Sequence, residues 1–187
     1  MSYFPAFIKF DNKKILIVGA GKIAFEKCKH LLDFTSNITF ISNSYCSELR
    51  NLIAINSLVF MQKDYEKGDI KDFDIVIAAL DNLQIQEEIY KESRDVNCLY
   101  NCVDFPNYCD FIFPSYIKKG DLTIAISTSG TSPSMAKHLK IYLQDLIPDS
   151  IVDFLKQMKE YRKTMPKGKE RMKFLDNKTK EYISKWK

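Results

Sequence analysis

Two of the chain's six glycines, Gly19 and Gly21, stand two apart directly after a short apolar run, and Ala24 follows three positions later. In this G-x-G-x-x-A order the first glycine permits a tight turn and the second lets backbone approach a pyrophosphate. The small third residue lets the next helix pack close to its strand. The unpaired N–H groups at the start of that helix then face the phosphates. The pattern is informative only between a strand and a helix. Here the run 14–18 (Lys-Ile-Leu-Ile-Val) reads as strand and the stretch after it as helix, so dinucleotide binding is the expected chemistry.

Three carboxylates stand where they could act on such a ligand. Ligands of parallel sheets bind beyond the C-terminal ends of the strands. One predicted strand ends at Ala79-Leu80-Asp81-Asn82 and another at Asn101-Cys102-Val103-Asp104. Asp81 precedes a helix and reads first as its cap. Asp104 has no helix to cap. It either steadies the turn into Pro106 or takes or gives a proton beside a hydride transfer. Asp110 is a further candidate. The end of the second strand, Ser42-Asn43-Ser44, lacks the Asp or Glu that often holds the ribose hydroxyls, although these residues can bond a ribose themselves. No Arg or Lys follows until Arg50, so NAD is favoured over NADP. Downstream, Ser127-Thr128-Ser129-Gly130-Thr131-Ser132 gathers hydroxyls and N–H groups at a helix start. That suits a carboxylate or phosphate, or simply a capped helix. It is not G-x-S-x-G, so no nucleophile elbow is expected.

The elements that must position these residues alternate. Strands are predicted over 14–18, 37–41, 58–61, 74–79 and 98–103. Helices are predicted over 22–34, 45–55 and 83–94. The first helix is expected to turn Ile23, Lys27, Leu31 and Phe34 to one side, with Ala24 and Cys28 beside them, and the third to turn Ile85 and Ile89 inward. Alternation of this kind argues a parallel sheet with right-handed crossovers. Residues 111–118 and 121–127, parted by Lys119-Gly120, read as an antiparallel hairpin. Ser132-Pro133 reads as an N-cap followed by proline at the first helical position. That helix runs to about Leu146, and two further helices follow Pro148, the second offering Leu175, Tyr182 and Trp186 for packing. The fold class is α/β: a Rossmann-like parallel-sheet domain over 1–112, a small α+β segment over 113–147, and a basic helical domain over 148–187.

Composition narrows the function. The 187 residues are 45% hydrophobic and 28% charged, which is ordinary for a globular chain. The net charge of +4 is unevenly placed: residues 151–187 hold 12 Lys and Arg against 5 Asp and Glu. Such a tail suits an anionic partner or a solvated helical face. Five cysteines, never spaced as C-x-x-C, suggest packing rather than a metal site, and a reduced cytoplasmic setting. Two histidines, both in predicted helices, weaken the histidine-dependent hydrolase classes. The N-terminus does not read as a secretory signal, and no apolar run reaches the ~20 residues of a membrane helix. Tyr161, Tyr182 and Trp186 among lysines are compatible with stacking on nucleic acid. No nucleic-acid motif accompanies them, so neither nucleic acid nor membrane is expected as a partner.

Taken together, Tyr3-Phe4-Pro5-Ala6-Phe7, Val18–Ala24, Asn101–Asp104, Asp110–Ser115 and Gly120–Pro133 resemble, in order and spacing, the precorrin-2 dehydrogenase/sirohydrochlorin ferrochelatase family, the N-terminal part of siroheme synthases. The resemblance implies NAD-dependent oxidation of precorrin-2, a tetrapyrrole with eight carboxylates, to sirohydrochlorin. In some members it also implies insertion of ferrous iron as a second substrate. It implies a homodimer formed through about 113–146, with helices over the active site. It places the general base or acid on Asp104, and cofactor contacts on Lys22 and Ile23 and on Asn43 and Ser44. With these go the glycine turn (Gly19, Gly21, Ala24), Ser42, and the strand ends Ala79, Leu80, Asp81 and Val103. Substrate contacts are expected from Ser127, Thr128, Ser129, Gly130, Thr131 and Ser132. The chain departs from the family's pattern in places. Ala20 replaces a common glycine. Leu80 stands where threonine is common. Phe105 follows the aspartate where a smaller or acidic residue is common. The methyltransferase part of fused members lies outside these 187 residues, so methylation is expected from another protein. A redox sensor or regulator that binds NAD without turnover is the alternative reading; it would not need Asp104.

Overall fold

A computed structural model describes residues 3–103 and 105–186. These form two compact units, one spanning Tyr3–Ile112 and the other running from Phe113 to the C-terminus.

The first unit is built on five parallel strands. They are β1 (Ile15–Val18), β2 (Ile38–Ile41), β3 (Val59–Met61), β4 (Ile75–Ala78) and β5 (Leu99–Cys102), in spatial order β3-β2-β1-β4-β5. All four residues of β1 and of β4 are buried. That is why these runs are apolar throughout rather than alternating: both faces of the sheet are covered. Burying each of these Ile, Leu and Val side chains contributes about 1.5–3 kcal/mol before the entropy of ordering is set against it. Register is in step across the centre, with Val18 beside Ile41 and Ala78 and with Ala78 beside Cys102. The C-terminal ends of four strands therefore open on one edge.

Three helices cross over. Helix α1 (Lys22–Leu32) buries Ala24, Cys28 and Leu31. The expected face is met in part: Leu31 is buried with Ala24 and Cys28 beside it, but Ile23 and Phe34 are exposed, because the small Ala24 and Cys28 let the helix lie close to the strands. Helix α2 (Ser47–Asn56) buries Leu49 and ends on Ser57 at φ 53°. Helix α3 (Leu83–Val96) buries Ile89 with Gln86, Glu92 and Ser93 and ends on Asn97 at φ 55°. Between β3 and β4 the chain makes turns rather than a helix. Glu92 of α3 ties them down, accepting from Tyr65 Oη at 2.5 Å and from the Gly68 N–H at 2.8 Å. Burial and this carboxylate push the Tyr65 hydroxyl well above its usual pKa.

The second unit opens with the hairpin β6 (Ser115–Lys119) and β7 (Leu122–Ile126), closed by Gly120 at φ +58°. The first strand was expected from 111, but pairing begins only at Ser115. Residues Asp110 and Phe111 are instead engaged by β5, as described below. Helices α4 (Pro133–Leu146), α5 (Ile151–Thr164) and α6 (Lys169–Ile183) follow. Ser132 Oγ caps α4 by accepting from the Met135 N–H at 3.2 Å, with Pro133 at the first position. At its other end Lys119 Nζ donates to the carbonyls of Ile147 (2.6 Å) and Gln144 (3.3 Å) and pairs with Asp149. A cation there satisfies orphan carbonyls and the helix dipole together. Ile117, Ile147 and Ile151 form the core, joined by Phe154, Tyr182 and Trp186. Phe154 stacks on Tyr182 with ring centres 4.1 Å apart. Among the described residues no helix is long and apolar enough to cross a membrane.

Candidate functional site

The crossovers leave β1 toward β2 and β4 toward β5, so the sheet reverses direction between β1 and β4. A crevice beyond the strand ends at such a point is where parallel sheets take ligands. The glycine turn lies there. Gly19 has φ +100°, and a Cβ on it would sit 2.2 Å from the Ala79 carbonyl oxygen. Only glycine permits that approach of the two strand ends. Its N–H donates to the Ile41 carbonyl at 2.8 Å, and the Ala79 N–H donates to Val18 at 2.8 Å. Gly21 is different. Its backbone is ordinary (φ −83°), and a Cβ would meet nothing within 4 Å. The start of α1 has no side-chain cap and no acidic residue in its first turn. Bare N–H groups beside open space fit a phosphate. Lys22 and Ile23 are exposed on this first turn, while Ala24 is buried against the sheet. The residues present therefore fit the pyrophosphate of a dinucleotide.

The loop after β2 is less free than its sequence implies. Ser42 Oγ donates to the Ser44 carbonyl at 2.8 Å, which folds the loop back on itself. Asn43 Nδ2 donates to Asp64 Oδ1, and Gln62 Nε2 donates to the Asn43 carbonyl at 3.3 Å. Asp64 was not foreseen as a site residue. It lies three residues beyond β3, and the pairing of Ile41 with Met61 brings it beside Asn43. Only the adjacency of β2 and β3 would have pointed to it.

At the end of β4 the helix cap is Asn82, not Asp81. Asn82 Oδ1 accepts from the N–H groups of Gln84 (3.1 Å) and Ile85 (3.2 Å), while Asp81 is exposed. An amide one residue nearer the helix has the better reach, so Asp81 is spared that role. Leu80 packs against the core, and its carbonyl accepts from Gln86 Nε2 at 2.5 Å. Gln86 is fully buried. It also accepts the Cys102 thiol on its Oε1 and the Tyr100 hydroxyl (2.8 Å) on its backbone carbonyl. Val103 follows β5 directly. Asp104 lies outside the described residues.

Asp110 has a structural task. Its carboxylate takes both terminal nitrogens of Arg94, at 2.5 and 2.9 Å, and the Tyr100 N–H at 2.8 Å. The Asp110 N–H returns a bond to the Tyr100 carbonyl at 2.9 Å, and Asn101 Nδ2 donates to the Phe111 carbonyl at 2.8 Å. Together these cover the free edge of β5, which would otherwise present unpaired backbone. Asp110 raises the Arg94 guanidinium further above its usual range. The cysteines are all free. Cys109 Sγ packs against the backbone of Cys102, accepting its N–H at 3.2 Å, and burial pushes the Cys109 thiol up. Burial likewise lifts Cys28 to about 11. Among the described residues, no three His, Cys, Asp or Glu side chains converge as a metal site.

The hydroxyl-rich stretch belongs to the second unit. Ser127 Oγ accepts from the Ser129 N–H and Thr128 Oγ1 from the Ser132 N–H, each at 3.0 Å, with Ser129 and Gly130 at positive φ. The turn is thus held by its own hydroxyl oxygens, and Ser132 is spent on the helix cap. Ser129, Gly130 and Thr131 are exposed. Of the basic tail, Lys156, Lys159, Lys163, Lys178, Lys180 and Lys185 each pair with a carboxylate. Among the described residues no carboxylate pairs with Arg162, Lys167, Lys169 or Lys173, which surround the turn between α5 and α6.

A family model described as "Putative NAD(P)-binding" matches residues 6–115. A siroheme synthase of Pseudoalteromonas translucida is 36% identical over 151 residues, covering 81% of this chain and 32% of that protein. Siroheme synthases of Neisseria meningitidis (31% over 153 residues, 82% of this chain and 32% of that one) and Buchnera aphidicola (29% over 167 residues, 89% and 35%) are also similar. The chain spans about a third of the length of these curated relatives. Among solved structures, "SirC, precorrin-2 dehydrogenase" has the same fold. It matches with a TM-score of 0.81 at 20% identity, over 94% of this chain and 88% of that one. The matched model covers more than half of the chain and includes both the glycine turn and the strand ends around it; the protein belongs to this NAD(P)-binding family.

Proposed function

We propose that this chain oxidises precorrin-2 to sirohydrochlorin with NAD as the acceptor, a step in making siroheme. The observation that carries the reading is the bare helix start beside Gly21, in a chain four-fifths of which aligns with a siroheme synthase. When bound, NAD would supply the hydride acceptor. The chain's residues do the rest. Gly19, Gly21 and Ala24, with Lys22 and Ile23, hold the pyrophosphate. Ser42, Asn43 and Ser44 hold the ribose. Ala79, Leu80, Asp81 and Val103, at the ends of β4 and β5, would line the rest of the cofactor site. Asp104 would take the proton that the substrate loses in the oxidation.

Precorrin-2 carries eight carboxylates. Donors of Ser127–Ser132 and the unpaired cations Arg162, Lys167, Lys169 and Lys173 are the groups proposed to receive them. Ferrous iron would be a second substrate, meeting the macrocycle's own nitrogens. A homodimer is proposed through α4, where Met135, Leu139, Tyr142 and Leu146 make one exposed stripe, 36–64% accessible, at helical spacing.

The test is anaerobic spectroscopy with precorrin-2 and NAD, with and without ferrous iron. NADH absorbance rising with sirohydrochlorin supports the reading. NAD binding with no turnover would replace it with a sensor, and siroheme appearing only with iron would add chelation.

A further inference from the structure

We propose that Asp64 is the residue by which this site tells NAD from NADP. The inference rests on the dinucleotide reading above and deepens it. The end of β2 carries no acidic residue, only Ser42-Asn43-Ser44. The acidic residue is supplied instead from the neighbouring strand. β2 and β3 run parallel with Ile41 opposite Met61, so their C-terminal loops lie side by side. Asn43 Nδ2 donates to one oxygen of Asp64, and Gln62 Nε2 donates to the Asn43 carbonyl at 3.3 Å. Both bonds fix the loop in which Asp64 sits. Asp64 is exposed, and no cation among the described residues pairs with it. Its second oxygen is thus available to accept from a ribose hydroxyl.

The same carboxylate opposes a 2′-phosphate. A phosphate brought to within about 6 Å of Asp64 across partly hydrated space would be disfavoured by roughly tenfold or more. Discrimination by repulsion needs no contact with the disfavoured ligand. Asn43 contributes by position. It holds the carboxylate beside the loop in which the Ser42 hydroxyl hydrogen is already given to Ser44.

Binding of NAD+ and of NADP+ to the full chain is measured by calorimetry, without substrate. The wild type should prefer NAD+ by at least about tenfold. Asp64→Asn keeps an acceptor for Asn43 but removes the charge. It should cut the preference about tenfold, chiefly by strengthening NADP+. Asp64→Lys should carry the ratio further, toward NADP+. Far-ultraviolet circular dichroism checks that both variants fold. A ratio unchanged within about twofold in both variants overturns the role of Asp64 and leaves dinucleotide binding standing. A wild type that binds neither nucleotide overturns the dinucleotide reading itself.

Discussion

Gly19 and Gly21 lie two residues apart in one turn, yet alanine should do opposite damage at the two positions. At Gly19 an added methyl carbon would stand 2.2 Å from the Ala79 carbonyl oxygen and 2.7 Å from its carbon, on a backbone at φ +100°. Ordinary carbon–oxygen contact is about 3.3 Å, so the ends of β1 and β4 would have to part by about 1 Å. Overpacking of this kind costs about 1–3 kcal/mol, and the unfavourable φ adds about 1–2 kcal/mol. Gly19→Ala should therefore lose about 2–5 kcal/mol, a large share of the 5–15 kcal/mol typical of a domain. At Gly21 a methyl meets nothing within 4 Å and φ is −83°. Alanine is a poorer N-cap than glycine, but it also restricts the unfolded chain, and the two effects nearly cancel to within about 1 kcal/mol. Yet that methyl would occupy the space offered to the pyrophosphate, and NAD affinity should fall by tenfold or more. Urea unfolding and calorimetric titration of NAD, run on both variants, separate the two effects. Equal destabilisation, or a Gly21→Ala protein that binds NAD as the wild type does, would refute the division of labour between the two glycines.

Asp104→Ala should lower NADH formation at least about a hundredfold while the NAD dissociation constant stays within about threefold; near-normal turnover would remove Asp104 from the chemistry. Leu139→Glu combined with Tyr142→Lys should turn a dimer into a monomer in sedimentation, with little change in melting temperature, and a monomeric wild type would dismiss α4 as an interface. Raising ionic strength from about 0.05 to 0.5 M should raise the KM for precorrin-2 more than that for NAD, because the unpaired cations near the α5–α6 turn are exposed to screening; parallel changes would count against them. Asp74 accepts from Lys13 Nζ at 2.6 Å and from the Lys14 N–H at 2.9 Å, and these bonds hold its carboxyl below the usual carboxylate range. Its stabilisation is therefore present above the unfolded value of about 3.9 and is lost as pH falls through the lower folded value. The side chains of Lys13 and Asp74 are 43% and 35% exposed, so Asp74→Asn should cost at most about 1 kcal/mol at neutral pH and flatten the acid limb of a urea-unfolding series.

What was legible in the sequence was local. The run Ile15–Val18, the glycines after it and the small Ala24 are read within ten residues, and the structure assembles them as strand, turn and helix. Ser132-Pro133 caps and starts α4 for the same reason. What was not legible depends on pairings distant in sequence. Asp110 resembles a candidate acid until Arg94, sixteen residues earlier, is found on its carboxylate. Asp64 is an unremarkable loop residue until β3 lies beside β2. The misassigned cap at Asp81 is a different case, because two adjacent capping residue types compete and only backbone geometry decides for Asn82.

Gln86 holds the ends of β4 and β5 through its bonds to Leu80, Tyr100 and Cys102. Sliding one strand past the other would pull Gln86 either from Leu80 or from Tyr100 and Cys102, and the last two bonds are buried. The crevice therefore has a fixed jaw on that side. Any give toward a bound ligand on that side must come from the loop that begins beyond Leu80, whose stiffness would set how fast a ligand enters and leaves.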